Sequence, residues 1–221
     1  MSPRIVFEQE LESLKSKVTE MGQGAEIVYD RLLYAVRQND RETMKQLLGS
    51  DRQMTDMQRS IEAQCLTLLT KQQPVAKDLR VVSATLKVVT DIERVGNHVS
   101  DIAELYLRMG EICAEGTYEQ MLAQMMGEAK EMLQQAVEAF VCGDENLAAG
   151  VIERDDLVDT LFNQVKEKLM EAIVKQDLDA DRVVDYLMVA KYLEKIADHA
   201  VNIGEWAIFQ KTGDMQGVRL Y

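Results

Sequence analysis

The sequence predicts an all-α protein made of two tandem, pseudo-two-fold related antiparallel three-helix bundles, with six long helices. Three observations predict this fold class. Proline occurs only at positions 3 and 74, whereas Leu, Ala, Glu, Met and Gln, which stabilise helices, are abundant. Apolar residues recur at intervals of three and four, as expected for helices that bury one face. The pattern of the first half also returns in the second half, which indicates an internal duplication.

The duplication is visible in two stretches with the same polar residues at the same spacing. Residues 91–104 read DIERVGNHVSDIAE and residues 192–205 read YLEKIADHAVNIGE, so Glu93 and Glu194 are equivalent at an offset of 101. Earlier equivalent acids lie 104 positions apart, as in Asp40 with Asp144 and Asp51 with Asp155. The second copy is therefore shorter by three residues, which we expect to be missing from the loop before the third helix.

Each copy divides into three helical segments. In the first repeat, residues 1–110, the segments span residues 5–38, about 40–72 and about 75–110. In the second repeat, residues 111–221, they span residues 117–142, 144–176 and 179–211. The breaks coincide with Asn39–Asp40, Gly143–Asp144 and Pro74, which are plausible helix caps or starts. Three helices of this length per repeat can close a bundle.

The composition excludes several classes of function. The 38 acidic and 25 basic residues give a formal net charge of -13, which opposes contact with a phosphate backbone, so we expect no nucleic-acid partner. No apolar run approaches the ~20 residues of a membrane span, and the first residues lack the apolar core of a signal peptide. We therefore expect a soluble, cytosolic protein. The three cysteines follow neither a disulfide framework nor the spacing of a zinc knuckle.

A stripe of acids and amides runs along the third helix of each repeat. In the first repeat Glu93, Asn97 and Asp101 lie within about 80° of one another around the helix axis. Their counterparts in the second repeat are Glu194, Asp198 and Asn202. The stripe is either the solvated face of an amphipathic helix or a metal site. Like charges four residues apart are unfavourable, whereas a cation bound by carboxylate and amide oxygens would make them favourable.

The second helix of each repeat offers further oxygen ligands. Asp155 and Asp159 lie four residues apart, whereas in the first repeat Asp51 is followed by Thr55 at this spacing. Against the facing stripe, the second repeat would present four carboxylates from two helices. The sequence therefore predicts a metal site in the second repeat and a poorer one in the first. The alternative that these acids are ordinary surface charges stays open.

His98 and His199 occupy equivalent positions at the edge of the apolar face, which predicts packed, hydrogen-bonded rings rather than metal ligands.

Two other interpretations of the function also stay open. The sequence contains no GxSxG, glycine-rich phosphate loop or HExxH motif. A carboxylate-metal hydrolase would need a pocket with a group that orients the substrate. The remaining alternative is a metal-independent helical scaffold or adaptor.

The combination of these motifs resembles the PhoU family of phosphate-signalling regulators. The resemblance rests on the doubled three-helix pattern, on QQPVAKDLR at residues 72–80 leading into DIERVGNHVSDIAE, and on YLEKIADHAVNIGEWAIF at residues 192–209. It implies two similar bundles, no enzymatic activity and a cytoplasmic, commonly dimeric protein. It also implies repression of the phosphate-starvation response through a sensor histidine kinase (PhoR-like) and the ATPase of the phosphate ABC transporter (PstB-like).

The family's metal motif, an acid followed four residues later by Asp, is preserved unequally in this chain. Glu194 with Asp198 and Asp155 with Asp159 match it. In the first repeat Glu93 is followed by Asn97 and Asp51 by Thr55, so both pairs depart from it. The resemblance therefore favours metal binding in the second repeat, with iron, zinc, manganese or magnesium as candidate ions.

Overall fold

The computed structural model describes residues 3–72, 74, 76–110, 116–215 and 218–219. Helices account for nearly all of this part of the chain. They are α1 (Pro3–Gln38), α2 (Arg41–Leu47), α3 (Ser50–Gln72), α4 (Ala76–Met109), α5 (Thr117–Cys142), α6 (Glu145–Lys175) and α7 (Ala180–Thr212). A short antiparallel ribbon, β1 (Asp214–Met215) and β2 (Val218–Arg219), follows α7.

The prediction of one helix over residues 40–72 is wrong, because the segment forms two helices, α2 and α3. The backbone N–H of Leu48 bonds to a carbonyl three residues earlier, at 3.3 Å, as α2 ends. Ser50 Oγ donates to Leu47 O at 2.8 Å and so satisfies a carbonyl that the helix leaves free. Gly49 lies between the two helices, and glycine stabilises a helix less than any residue except proline.

The other predicted breaks are confirmed. Asp40 and Asp144 are the N-caps of α2 and α6, and each side chain accepts hydrogen bonds from two backbone N–H groups of the first turn. The preceding residues have left-handed backbone conformations, with φ of 49° at Asn39 and 66° at Gly143. These conformations end α1 and α5 and let the chain reverse direction. Pro74 lies between α3 and α4.

The helices pack as two similar groups. In the first half α1, α3 and α4 pack together, in the second half α5, α6 and α7 do so, and α4 runs along α7 between them. Arg108 near the end of α4 pairs with Asp185 near the start of α7, so these two central helices are antiparallel. This arrangement confirms the predicted fold class.

Burial repeats between the halves at the predicted offsets. Met54 and Val158, 104 positions apart, are both buried, and so are Val88 and Val189, 101 positions apart. The buried apolar residues of both halves form one continuous hydrophobic cluster. The predicted boundary at residue 110 adjoins residues 111–115, which lie outside the described residues, and the division into two domains stays a prediction.

The outward faces of the helices carry many charged side chains. Arg154 of α6, for example, lies 2.9 Å from Glu128 and 2.7 Å from Glu131 of α5. Among the helices that the structure describes, none combines the length and the apolar character that a bilayer crossing requires.

Candidate metal centre

Four acidic side chains of the second half lie close enough to interact electrostatically. Asp155 and Asp159 are one turn apart on α6, and Glu194 and Asp198 are one turn apart on α7, which packs against α6. Burial, followed by the charges of these neighbours and of Asp156, raises the pKa of Asp155 to about 6. We refer to Asp155, Asp159, Glu194 and Asp198 as the second-half cluster.

Lysines on α7 offset only part of the negative charge of the second-half cluster. Lys191 forms an ion pair with Glu194, and its Nζ lies 5.4 Å from the centre of the Phe162 ring. Burial, followed by the charge of Glu194, nevertheless raises the pKa of Asp198, against the opposing influence of Lys191 and Lys195. The cluster therefore carries unfavourable electrostatic energy when all four groups are ionised.

The donor atoms of the second-half cluster fit a hard cation. All are carboxylate oxygens, and Asp155 Oδ1 is buried without a hydrogen-bond partner among the described residues. A buried polar atom without a partner is unfavourable, and a cation would supply the missing interaction. The side chains as placed do not converge on one point: across the described ranges, no group of three or more His, Cys, Asp or Glu side chains is gathered closely enough to hold a metal ion.

The equivalent site of the first half is satisfied by hydrogen bonds. Thr55 Oγ1 and Asn97 Nδ2 both donate to Glu93 Oε1, each at 3.1 Å. Arg94 Nε lies 3.7 Å from the other oxygen of this largely buried carboxylate. Asp51 lies in the first turn of α3, and no hydrogen bond among the described residues joins it to Glu93.

The equivalent acids Glu93 and Glu194 therefore have opposite electrostatic surroundings in the two halves. Thr55 and Asn97 stand where the second half has Asp159 and Asp198. A hydroxyl and an amide donate hydrogen bonds to a carboxylate, whereas two further carboxylates repel it. Glu93 therefore has hydrogen-bond donors as neighbours, whereas the carboxylates of the second-half cluster have like charges as neighbours.

The histidines lie at the seam between α4 and α7. The ring of His98 stacks against His199 at 5.5 Å between centroids and against Tyr192 at 5.2 Å. His199 Nδ1 lies 2.8 Å from Asp91 Oδ1 across the seam. Burial, followed by the charge of His199, lowers the pKa of His98. The prediction of packed, hydrogen-bonded histidines is confirmed.

Two predicted metal ligands also lie at this seam. Asn202 Nδ2 donates to Asp91 Oδ1 at 3.2 Å, and Asp101 Oδ2 lies 3.4 Å from His98 Nδ1. The structure therefore joins Asn202 and Asp101 to partners other than the second-half cluster and Glu93. Asp91 and Tyr192 were not predicted as functional residues. The offset of 101 makes them equivalent to each other, and this pairing was the available signal.

Comparison with known proteins identifies the family. The family model described as the PhoU domain matches residues 18–106 and, a second time, residues 122–207. A relative in Clostridium acetobutylicum, named a phosphate-specific transport system accessory protein PhoU homolog, is 34% identical over 213 residues, which are 95% of this chain and 96% of that protein. A relative of the same name in Pseudomonas aeruginosa is 30% identical over 94% of this chain and 86% of its own length.

Solved structures support the same assignment. The crystal structure of PhoU from Pseudomonas aeruginosa has a TM-score of 0.88 and 28% sequence identity, and the match covers 94% of this chain and all (100%) of that one. The phosphate transport system regulatory protein PhoU from Streptococcus pneumoniae has a TM-score of 0.87 at 25% identity, over 96% of this chain and 100% of that one. The chain belongs to the PhoU domain family.

Proposed function

We propose that this chain is a cytoplasmic regulator of phosphate homeostasis that represses the phosphate-starvation response and modulates phosphate uptake. The observation that carries the proposal is the double match to the PhoU domain, together with full-length relatives named as accessory proteins of phosphate-specific transport. Its partners are the ATPase of the phosphate ABC transporter and a phosphate sensor histidine kinase. It acts through contacts with these proteins and not as an enzyme, in line with the accessory role that the relatives' names give.

Deletion of the gene tests this proposal. In medium rich in phosphate, the deletion strain should express phosphate-starvation genes, and a plasmid copy of the wild-type chain should restore repression. A promoter fusion to one starvation gene measures both effects. Normal repression in the deletion strain would contradict the regulatory function.

The strongly acidic character of the chain gives a second test, directed at the partners. A net charge of -13 favours contact surfaces with basic side chains on the partner, and such contacts are screened by salt. Association of the purified chain with the transporter ATPase, and separately with the cytoplasmic part of the kinase, should weaken as ionic strength rises. Binding to neither protein at low salt would contradict the assignment of these partners.

We further propose that the second-half cluster binds a divalent or iron-type cation, with iron, zinc, manganese and magnesium as candidates. Asp155 and Asp159 from α6 and Glu194 and Asp198 from α7 would supply the oxygen ligands. The only partly compensated negative charge of the carboxylates and the buried Asp155 Oδ1 support this proposal. The bound cation would neutralise the cluster and stabilise the packing of α6 on α7. Because it would bind the folded state, it should raise the melting temperature, which thermal melts with each metal would measure.

A second candidate function is that of a metal-independent scaffold. It is favoured by the hydrogen-bonded first-half site, where Glu93 needs no cation, and by the open arrangement of the second-half cluster. The two candidate functions can be distinguished with a variant in which amides replace the carboxylates of the second-half cluster. The measurement is whether this variant still represses the phosphate-starvation genes. Full repression by that variant supports the scaffold, and its loss supports the metal-binding regulator.

We also propose that the chain forms a homodimer, in keeping with the resemblance to its family. Light scattering coupled to size-exclusion chromatography should give about twice the chain mass of 25.1 kDa. A mass of one chain over the whole accessible concentration range would contradict the proposal.

A further inference from the structure

A cleft of about 620 Å³ opens between α1 and α3, beside the break that separates α2 from α3. This volume falls within the range of roughly 300–1,000 Å³ that is usual for small-molecule sites. Its floor is apolar and includes Met57 and the buried side chain of Ile61. Its rim is charged, with Lys17 and Glu20 contributed by α1 and further charged side chains contributed by α3. The cleft thus places two apolar side chains beside polar and charged ones, which make up six of its nine lining residues.

The charges follow a definite order along the cleft. Lys17 Nζ donates to Ser60 Oγ at 3.4 Å, which sets the level of α1 against α3. The two helices are antiparallel, so Glu20 of α1 lies level with Met57 of α3 and within one residue of Asp56, and Arg52 lies one turn beyond Asp56. From one end to the other, over about 12 Å, the cleft therefore presents a cation, two acids and a second cation.

Three of these charged groups have no partner in the part of the chain that the structure describes. Among the described residues, Glu20, Arg52 and Asp56 form no ion pair or side-chain hydrogen bond, although Arg52 and Asp56 are four residues apart on one helix face. Elsewhere the chain does pair such neighbours, as where Glu171 of α6 lies 3.1 Å from Lys168 and 3.5 Å from Lys175. The cleft therefore leaves charges of both signs available to a ligand.

The pattern is specific to the first half. The residues 104 positions after Lys17, Arg52 and Asp56 are Met121, Asp156 and Thr160, so the second half does not repeat the order of charges. The second half also lacks the helix break, because α6 is continuous from Glu145 to Lys175. Packing of the three-helix unit therefore does not require this arrangement.

We propose that the cleft binds a small zwitterionic molecule with an apolar body, of the amino-acid class. The ammonium group lies between Glu20 and Asp56, and the carboxylate pairs with Arg52. The apolar body packs on Met57 and Ile61. A simple anion would meet the two acids at the centre of the cleft, and a simple cation would leave the arginine without a partner. This binding is independent of the regulatory function proposed above.

Titration with L-leucine and two analogues tests the proposal. The analogues are 4-methylpentanoate, which lacks the ammonium group, and 3-methylbutylamine, which lacks the carboxylate. Chemical shifts of the isotopically labelled protein report binding and its location. Leucine should bind with a dissociation constant on the order of 1 mM, as expected for so small a ligand, and shift signals of α1 and α3. Each analogue should bind about five- to tenfold more weakly, because one charge-assisted contact is lost.

A matched pair of glycine variants controls for location. A side chain at Gly49 would meet no atom within 4 Å of its Cβ, so Gly49→Trp should fold normally and fill the mouth of the cleft. Gly150 on α6 is equally open, and Gly150→Trp serves as the control. Leucine binding should be lost in Gly49→Trp and unchanged in Gly150→Trp.

Replacement of the arginine separates charge recognition from simple apolar binding. Arg52→Gln should weaken the binding of leucine about fivefold, because its carboxylate loses the pairing with the arginine. The binding of 3-methylbutylamine should be unaffected, because this amine has no carboxylate that could pair with Arg52. Equal affinity for all three compounds, leucine binding that survives Gly49→Trp, or no leucine-dependent shift at tens of millimolar would each overturn the proposal.

Discussion

Replacing Asp155 by Asn should stabilise the metal-free protein at neutral pH. Burial and the neighbouring carboxylates raise the pKa of Asp155 from 3.8 to about 6. An acid whose pKa is higher in the folded state stabilises that state only while it is protonated. Its contribution is full below the unfolded pKa of 3.8 and is lost as the pH rises through about 6. Asparagine keeps the neutral form at every pH and so should keep this contribution.

The size of the effect follows from the shift. A difference of about two pKa units corresponds to roughly 3 kcal/mol for a fully buried group. Asp155 is partly exposed, and solvent screening reduces this to about 1 kcal/mol. For a chain of this length, 1 kcal/mol raises the melting temperature by about 2–4 °C.

Urea denaturation in the presence of a chelator provides the assay. The gain of Asp155→Asn over wild type should be present at pH 8 and absent at pH 3.5. Asp51→Asn, at the equivalent position of the first half, is the control and should change the free energy of unfolding by less than about 0.5 kcal/mol. An equal gain at both pH values, or no gain at pH 8, would refute the electrostatic explanation of the second-half cluster.

Three further substitutions test other parts of the structure by thermal or urea denaturation. Thr55→Val removes a hydrogen-bond donor to Glu93 and should lower the free energy of unfolding by about 1 kcal/mol, whereas no loss would mean that this bond is unimportant. Gly143→Ala should cost at least about 1 kcal/mol, because φ there is 66° and a Cβ would overlap the Lys211 side chain; a neutral effect would contradict this helix end. Asp91→Ala removes the oxygen that two α7 side chains share at the seam and should cost about 1–3 kcal/mol, and a loss within error of zero would show that the seam does not depend on it.

The helices were largely predictable because local signals and long-range periodicity agree. Asp40 and Asp144 have side chains that can cap the helices that follow them. Asn39 tolerates the left-handed backbone conformation that the end of α1 requires. The break at Gly49 was missed because the apolar spacing continues across it, with Leu47 and Met54 both in the core. A single glycine within such a pattern does not distinguish a weak helix position from a helix end.

The candidate site was predictable only as far as a single helix determines it. Helical spacing placed Glu194 with Asp198 and Asp155 with Asp159 in register, and the packing of α6 on α7 brought the pairs together. Asn202 shares the predicted stripe, yet it bonds to Asp91 across the seam. The angular position of a residue on its own helix does not reveal which neighbouring helix it will face. The contacts between α4 and α7 could therefore not be predicted from the sequence.

We propose that the second-half cluster binds a cation that the first half does not need. Isothermal titration of the chelator-treated protein with manganese, and separately with iron, zinc and magnesium, tests it most directly. The double variant Glu194→Gln, Asp198→Asn is compared with Glu93→Gln, which alters the first half. For at least one of these metals, wild type and the first-half variant should bind stoichiometrically with similar affinity, and the second-half variant should lose this binding. Absence of stoichiometric binding to the wild type for every metal, or equal binding by all three proteins, would contradict the account.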